Sequence, residues 1–293
     1  MNAANPLPMA LHEDVALFRE ALRFTAAETG FISRLIEKDY FCTLILQYLC
    51  QSVSTLIFKG GTCLAKVHAG FYRLSEDLDF SISMAIESAR STRSRAADAF
   101  KAAIREIPAR MHPFTIVEPV FGANGSKHYV ATVGYDSQLA AYCETIKVEV
   151  GLREPILTPT ETAHARTLLL DPVRGRQMIQ SVRLLCISHK EAMAEKFRAA
   201  LTRRDVAIRD FYDIDHATRN LGVDPRQSEL LGLIRAKVAV PGNGPIDVSD
   251  SRLRLLRQQL DAQLKPVLRR QDFSRFELER AFDVVRTLAQ FIA

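Results

Sequence analysis

The sequence FKGGTCLAKVHAGFYRLSEDLDF, residues 58–80, decides how the rest of the chain is interpreted. Its first part holds a glycine pair followed by a threonine, and its last part holds two alternating carboxylates, Asp77 and Asp79. Short apolar, β-favouring runs flank it on both sides, which predicts a strand, a glycine turn, a short helix, a loop and a second strand. Because residues i and i+2 of a strand point to the same face, the two aspartates are expected to lie side by side.

The glycine turn and the carboxylate pair predict complementary halves of one site. Gly60 and Gly61 let the backbone approach a ligand closely and present its N–H groups, and with Thr62 at a helix start they suit a phosphate. Two adjacent carboxylates repel each other, and a hard cation such as Mg²⁺ relieves that repulsion, commonly together with substrate phosphates. Alone, a glycine pair is usually an ordinary turn and a DxD pair a solvated strand end; the combination indicates a metal–nucleotide site.

The motif KGGTxL followed by RxSxDxDF resembles the nucleotidyltransferase toxins of the AbiEii/AbiGii type and is similar to the mycobacterial MenT toxins. The resemblance implies a mixed α+β fold with a DNA polymerase β-like nucleotidyltransferase core and a helical C-terminal domain. It also implies an enzyme that uses an NTP with Mg²⁺ or Mn²⁺. Such enzymes are toxin halves of bacterial abortive-infection toxin–antitoxin pairs, so a cognate antitoxin encoded nearby is expected.

A third carboxylate is expected on another strand. Residues 146–150, IKVEV, alternate between apolar and charged side chains, which places Lys147 and Glu149 on one face. A half-exposed strand without chemistry has the same pattern. The resemblance implies that a further acidic residue lies on a strand beside the DxD strand, and Glu149 is the candidate for this third metal ligand.

A later segment, EKFRAALTRRDVAIRDFYDID at 195–215, is similar to the family's lysine- and aspartate-bearing motif. The resemblance implies that Lys196 contacts the triphosphate and that an aspartate supports the site or the acceptor. Asp213 matches that aspartate most closely, and Asp210 lies one turn before it on the same helix face. Which of the two points inward stays open, as does a plain ion-pair network between two helices.

Two further charged features carry open interpretations. Arg73 precedes Asp77 by four residues. It could contact a phosphate or stabilise the charge that develops in the transition state, or it could pair with Asp77 or Glu76. The segment 37–40, EKDY, looks like a charged patch on a helix. Members of the resembled family often carry an EKDY-like signature here, and we assign it no catalytic role.

Composition favours a soluble cytoplasmic protein. The chain has 293 residues, 47% hydrophobic and 25% charged, with no apolar run as long as a membrane span and no pattern typical of a signal peptide. Its five cysteines are scattered without a CxxC pair. That spacing favours reduced thiols over a disulfide framework or a zinc site.

The charge distribution favours a polyanionic partner. The net charge is +5, and residues 166–210 hold ten Lys or Arg against five Asp or Glu, a local excess of +5. An arginine-rich solvated surface is the plainer explanation. We expect a nucleotidyltransferase core with N-terminal helices at 1–165 and a mainly helical domain at 166–293 that contributes to the active site.

The predicted reaction is transfer of NMP from an NTP to an RNA acceptor, with a tRNA 3′ end as the expected acceptor, so that translation and growth are blocked. Asp77 and Asp79, with Glu149, would hold one or two Mg²⁺ ions. A protein hydroxyl is the alternative acceptor, and a non-catalytic RNA-binding module is the alternative class. A phosphatase with an aspartyl nucleophile is disfavoured because the apolar run follows the DxD pair here instead of preceding it.

Overall fold

The computed structural model of the protein describes residues 10–292. They form two compact units. The first extends to Pro155 and includes Thr162–Cys186, and the second comprises Ile156–Glu161 and the described residues from Ile187 onward. The predicted boundary after residue 165 stays a prediction; the strand Val182–Cys186 belongs to the first unit.

Two helices near the start of the first unit, α1 (Val15–Thr29) and α2 (Ser33–Ser52), confirm the expected N-terminal helices. The side chain of Asp14 caps α1 by accepting a hydrogen bond from the Leu17 N–H at 3.0 Å. Gly30, with φ of 77°, ends α1 in the left-handed conformation that glycine adopts without strain. Gly30 therefore ends α1 and separates it from α2.

A mixed sheet forms the centre of the first unit. Among the described residues it has seven strands in the order β3-β4-β5-β2-β1-β7-β6. The β2–β5 and β1–β7 pairs are parallel, and the β1–β2, β3–β4 and β4–β5 pairs are antiparallel. The strands are β1 (Ile57–Lys59), β2 (Leu78–Ser81), β3 (Thr115–Ala123), β4 (His128–Asp136), β5 (Cys143–Gly151), β6 (Glu161–Ala165) and β7 (Val182–Cys186).

Helices pack on this sheet and enclose its core. Phe41 of α2 stacks on Tyr135 of β4 with ring centroids 4.0 Å apart, and both side chains are fully buried. Between the strands lie α3 (Gly60–Cys63), which continues as a π-helical turn (Leu64–His68), and then α4 (Arg90–Ala96) and α5 (Asp98–Arg110). Strands and helices in one unit confirm the predicted α+β class.

The second unit is helical. Its helices are α6 (His189–Thr202), α7 (Ile208–Asn220), α8 (Ser228–Val238), α9 (Asp250–Gln258), α10 (Arg270–Arg275) and α11 (Leu278–Ile292). A π-helical turn follows α9, and a 3₁₀ turn containing Pro266 follows that turn, because proline has no N–H to continue the ladder. None of the helices within residues 10–292 combines the length and apolar content that a bilayer-crossing helix needs.

Candidate active site

The predicted carboxylate pair lies at the central strand of the sheet. Asp79 is within β2, and Asp77 lies one residue before that strand begins, so only one of the two is a strand residue. Leu78 and Phe80 are 0% and 1% exposed, whereas both aspartates are half-buried. This alternation puts the carboxylates on the face opposite the core, as their spacing predicts.

Backbone register brings Asp79 beside two charged residues. It is the partner of Lys59 on antiparallel β1 and of Glu149 on parallel β5. The expected adjacency of the Glu149 strand to the DxD strand is therefore confirmed. Ile146, Val148 and Val150 of β5 are fully buried, which fixes Glu149 on the same side of the sheet as Asp79.

Glu149 is held ionised by two basic neighbours. Its Oε2 lies 3.1 Å from His128 Nε2, and its Oε1 forms an ion pair with Lys147 Nζ. Burial alone would raise the pKa of Glu149, but the hydrogen bonds from His128 and Lys147 outweigh it and lower the pKa to about 2. The carboxylate is thus anionic at neutral pH, as a cation ligand has to be.

The glycine turn is packed directly against the carboxylates. Gly60 has a φ of 75°, and a Cβ at this position would lie 2.1 Å from Asp79 Oδ2. A Cβ at Gly61 would lie 2.6 Å from a terminal guanidinium nitrogen of Arg73 and 3.2 Å from Ser75 Oγ. Both glycines are therefore required by close approach, Gly60 to a carboxylate and Gly61 to a buried arginine.

Thr62 and Arg73 tie this turn to the segment that precedes β2. The Thr62 hydroxyl, 1% exposed as a residue, donates a hydrogen bond to the backbone carbonyl of Asp77. Arg73 is 2% exposed and donates from Nη1 to the Leu74 carbonyl at 3.1 Å. The geometry shows both side chains holding the loop; the predicted contacts of Thr62 and Arg73 with phosphate stay predictions.

The EKDY segment, expected to be a charged patch on a helix, lies on helix α2 but is buried. Its four residues are between 0% and 8% exposed. Each polar group has a partner in a different part of the first unit, which sequence inspection could not supply. Glu37 accepts from Ser137 and Gln138, Lys38 pairs with Glu76, Asp39 pairs with Lys66, and Tyr40 bonds His12.

The Asp39–Lys66 pair is the most deeply buried of these contacts. Lys66 Nζ is 2.5 Å from Asp39 Oδ1 and donates to Thr43 Oγ1 at 2.8 Å. Asp39 Oδ2 accepts from the backbone N–H of Leu168 at 2.9 Å and from Thr167 Oγ1 at 3.2 Å. This network fastens the turn that follows the glycines to α2, so it positions the candidate site without being part of it.

The predicted lysine–aspartate group lies in the second unit. Lys196 Nζ on α6 is 2.8 Å from Asp210 Oδ1 and 2.8 Å from Asp213 Oδ2 on α7. Arg203 adds a second cation, 3.1 Å from Asp210 Oδ2. Burial would raise the pKa of Asp210, but Lys196 and Arg203 lower it below its ordinary value. Both aspartates thus contact the same ammonium group, and which of them supports the active site stays a prediction.

The structure brings the site residues together as two groups. The first unit holds the glycine turn, Arg73 and the three carboxylates, and the second holds Lys196 with its two aspartates. The donor set of the first group consists of oxygens from three half-buried carboxylates, which suits a hard cation such as Mg²⁺ or Mn²⁺ and not a thiophilic one.

The chain resembles known proteins both in sequence and in fold. Residues 47–287 match the family described as nucleotidyl transferase AbiEii toxin, type IV TA system. The structure is similar to MenT4, the nucleotidyltransferase toxin Rv2826c from Mycobacterium tuberculosis H37Rv, with a TM-score of 0.58 and 22% identity, over 94% of this chain and 89% of that chain. It is also similar to JHP933 from Helicobacter pylori, with a TM-score of 0.50 and 17% identity, over 89% and 93% of the two chains. No curated protein sequence matches the chain. At these identities the structural likeness establishes the fold.

Proposed function

The chain belongs to the AbiEii family of nucleotidyl transferase toxins, and we propose that it transfers NMP from an NTP to RNA in a Mg²⁺-dependent reaction. It is a nucleotidyltransferase, the toxin of a type IV toxin–antitoxin system, with an NTP as substrate and an antitoxin as partner. Nucleotidyltransferase toxins of this family generally use a divalent metal ion. Two parts of this statement are our proposal: that the divalent ion is Mg²⁺, and that the acceptor is RNA.

One observation carries the proposal: Asp79 lies in register with Glu149 on the adjacent parallel strand and in contact with Gly60. Two anionic side chains and a close backbone turn at the same point of a sheet suit a triphosphate bound through a cation. We assign Asp77 and Asp79 as metal ligands, with Glu149 as the third. Bound there, Mg²⁺ would neutralise the triphosphate and activate the acceptor hydroxyl.

The remaining groups have binding roles in this proposal. The backbone N–H groups of Gly60, Gly61 and Thr62 bind phosphate oxygens, and Arg73 supports that turn. Lys196 contributes the positive charge that binds the triphosphate, with Asp210 and Asp213 orienting its ammonium group. The support for Lys196 is its pair of 2.8 Å contacts, which hold a long, flexible side chain in one conformation.

An RNA acceptor is supported by the distribution of basic residues. Four arginines from the end of β6 into β7 are exposed: Arg166, Arg174, Arg176 and Arg183. Exposed guanidinium groups bind backbone phosphates, and such binding weakens as salt is added. A tRNA 3′ end is our proposed acceptor. Because NTP and tRNA are cytoplasmic substrates, the cytoplasm is the proposed site of action.

Labelling with the wild-type protein tests the proposal. The protein is incubated with Mg²⁺, each α-labelled NTP in turn, and total tRNA, and products are separated by size. We expect label on tRNA, loss of label with EDTA, and loss of label with tRNA whose 3′ diol has been oxidised by periodate. Asp79→Asn is expected to transfer about a thousandfold more slowly. Asp136→Asn, which changes an exposed carboxylate at the end of β4, is expected to transfer at the wild-type rate.

Other outcomes separate the parts of the proposal. Label on protein instead of tRNA would replace the acceptor and keep the enzyme. Label on tRNA with oxidised ends would move the acceptor from the 3′ diol to another group. Equal transfer by Asp79→Asn and wild type would contradict the assignment of the site.

A further inference from the structure

Three potential metal ligands converge in the first unit, at a point outside the carboxylate site. The side-chain donor atoms of Cys63, His68 and Cys186 all lie within 4.8 Å of one another. Both cysteines are 0% exposed, and the histidine is half-buried. Within residues 10–292 no other three His, Cys, Asp or Glu side chains come this close.

The π-helical turn explains how two of these side chains meet. Cys63 and His68 are five residues apart, and in a regular α-helix of 3.6 residues per turn they would point about 140° away from each other. The turn Leu64–His68 is widened instead, with the Ala69 N–H donating to the Leu64 carbonyl at 2.8 Å across five residues. Single π-helical turns of this kind are rare and often occur at functional sites.

The sheet supplies the third side chain. Cys186 is the last residue of β7 and is the register partner of Phe58 on parallel β1. Phe58 lies two residues before α3, so the end of β7 is adjacent to this short helix, whose last residue is Cys63. Two segments, the glycine-turn helix with its π-helical turn and the end of β7, therefore direct two thiols and an imidazole to one point.

The chemistry of this donor set selects the cation. Thiolates and a neutral imidazole are ligands of Zn²⁺, whereas Mg²⁺ and Mn²⁺ take oxygen ligands. We propose that Cys63, His68 and Cys186 form a Zn²⁺-binding site. Binding releases the two thiol protons to solvent and places two thiolates opposite a dication, so the buried complex has no net charge. Three protein ligands leave a fourth position for water or another small ligand.

A zinc ion at this site would stabilise the glycine turn of the nucleotidyl transfer site. Cys63 follows Thr62, whose hydroxyl holds the carbonyl of Asp77. A cation at this site cross-links the glycine-turn helix to the end of β7, which stabilises the turn packed against Asp79. We therefore assign the zinc site a stabilising role, separate from the oxygen-ligated cation of the nucleotidyl transfer site.

Metal content and spectroscopy test this inference without reference to activity. The full-length protein is purified under reducing conditions, loaded with ZnSO₄ and desalted, and its zinc is counted by elemental mass spectrometry. We expect about one zinc ion per chain in the wild type and at least a tenfold lower content in Cys63→Ser and Cys186→Ser. Loading with Co²⁺ instead is expected to give a thiolate-to-cobalt charge-transfer absorption band that both variants lose.

Two further variants keep the test independent of misfolding. His68→Asn alters the half-buried ligand and is expected to lower zinc content while keeping part of the thiolate–cobalt absorption. Cys50→Ser, a half-buried cysteine of α2 outside the cluster, is expected to bind zinc like the wild type. Added Zn²⁺ should raise the melting temperature of wild type and Cys50→Ser, and leave that of Cys63→Ser unchanged.

Three results would overturn the inference. One is a wild type that retains less than about a tenth of an equivalent of zinc after loading. Another is equal zinc content in wild type, Cys63→Ser and Cys186→Ser. The third is a thiol titration of unfolded protein, purified without reductant, that finds three free thiols in the wild type and four in both Cys63→Ser and Cys186→Ser, which would mean that Cys63 and Cys186 form a disulfide.

Discussion

The two groups of site residues are built in different ways. In the first unit, Asp79 and Glu149 are neighbours because β2 and β5 are hydrogen-bonded in a fixed register. In the second unit, Lys196, Asp210 and Asp213 are neighbours because their side chains form ion pairs between two helices. Backbone hydrogen bonds hold the first arrangement, and the charged side chains themselves hold the second.

This difference separates the effects of substitution. A side chain placed by strand register can be changed while its neighbours keep their positions, so function is lost without much loss of stability. A buried charge that is held by its partners cannot be removed without leaving those partners uncompensated. The first group is therefore expected to behave as a catalytic site on a rigid scaffold, and the second as a binding group that is also structural.

The largest expected effect is on transfer by Asp79→Asn. The amide has the same shape and leaves β2 paired, but it removes the charge that the proposed Mg²⁺ needs. We expect a loss of transfer rate of about a thousandfold, since electrostatic groups at reacting centres are typically worth several kcal/mol. The melting temperature is expected to stay within about 3 °C of wild type, since Asp79 is only half-buried and an amide of the same shape leaves no cavity.

Label transfer and thermal unfolding, measured on the same preparation, check both parts, with Asp136→Asn as the matched strand carboxylate. A large fall in melting temperature for Asp79→Asn would break the comparison, because it would mean that the carboxylate itself holds the sheet together.

The next effect is on stability, in Lys196→Met. Methionine keeps most of the side-chain length but leaves Asp210 and Asp213 buried beside each other without their shared cation. We expect the free energy of unfolding to fall by about 3 kcal/mol, as is typical when one partner of a buried ion pair is removed. Urea unfolding followed by circular dichroism measures it.

Lys190→Met is the matched control on the same helix. Lys190 pairs with Glu229, but both side chains are substantially exposed, at 41% and 69%. An exposed pair of this kind contributes less than about 1 kcal/mol. Equal losses in the two variants would show that burial of the Lys196 group does not govern stability in this unit.

Gly60→Ala tests how closely the glycine turn controls the carboxylate. Alanine at a positive φ is strained by about 1–2 kcal/mol, and its Cβ would also displace the Asp79 carboxylate, which lies 2.1 Å away. Misplacing a reacting group by about 1 Å costs about a hundredfold in rate. We therefore expect a loss of transfer of that order.

Gly175→Ala isolates the contact from the backbone strain. Gly175 has a φ of 62° and nothing within 4 Å of its potential Cβ. It should share the stability loss and keep the wild-type transfer rate. If both variants transfer equally, the contact between Gly60 and Asp79 has no catalytic consequence.

The same contrast explains which features of the site could be predicted from the sequence. Alternation in 146–150 and around Asp79 reveals which face each carboxylate occupies, because strand periodicity is local. It does not reveal that β5 lies beside β2, since that pairing depends on a fold assembled from distant segments. The resemblance supplied that adjacency, and the register then confirmed it.

Buried charges and metal ligands were beyond local patterns. The segment 37–40 looks exposed because charged residues usually are, and its partners lie far away in the chain. Cys63 and His68 have no recognised ligand spacing, because only a π-helical turn aligns residues five apart. Asp210 and Asp213 could be placed on one helix face from their spacing, but their shared partner became definite only when α6 and α7 were seen together.

The smallest expected effect is on the pH dependence of stability, in Asp210→Asn. The charged groups that interact with Asp210 are Lys196, Arg203, Asp213 and Arg252, and their combined effect holds its pKa below the ordinary 3.8. The unfolded chain therefore binds this proton more readily than the folded one. The stabilisation is fully present above the ordinary value and is lost as the pH falls through the lowered pKa of the folded state.

Asp210→Asn is accordingly expected to cost about 1.5 kcal/mol near neutral pH, and the difference from wild type should shrink as the pH falls to about 3. Melting temperatures at a series of pH values measure this, with Asp205→Asn, an exposed neighbour, as the control that should follow wild type. A difference that stays constant across the series would mean that the charge of Asp210 does not stabilise α6 and α7. The loss in Asp210→Asn would then come from hydrogen bonds that the carboxylate makes and the amide does not. The second group would then be held by hydrogen bonds, as the first group is. Only the stability loss of Lys196→Met would still distinguish the two groups.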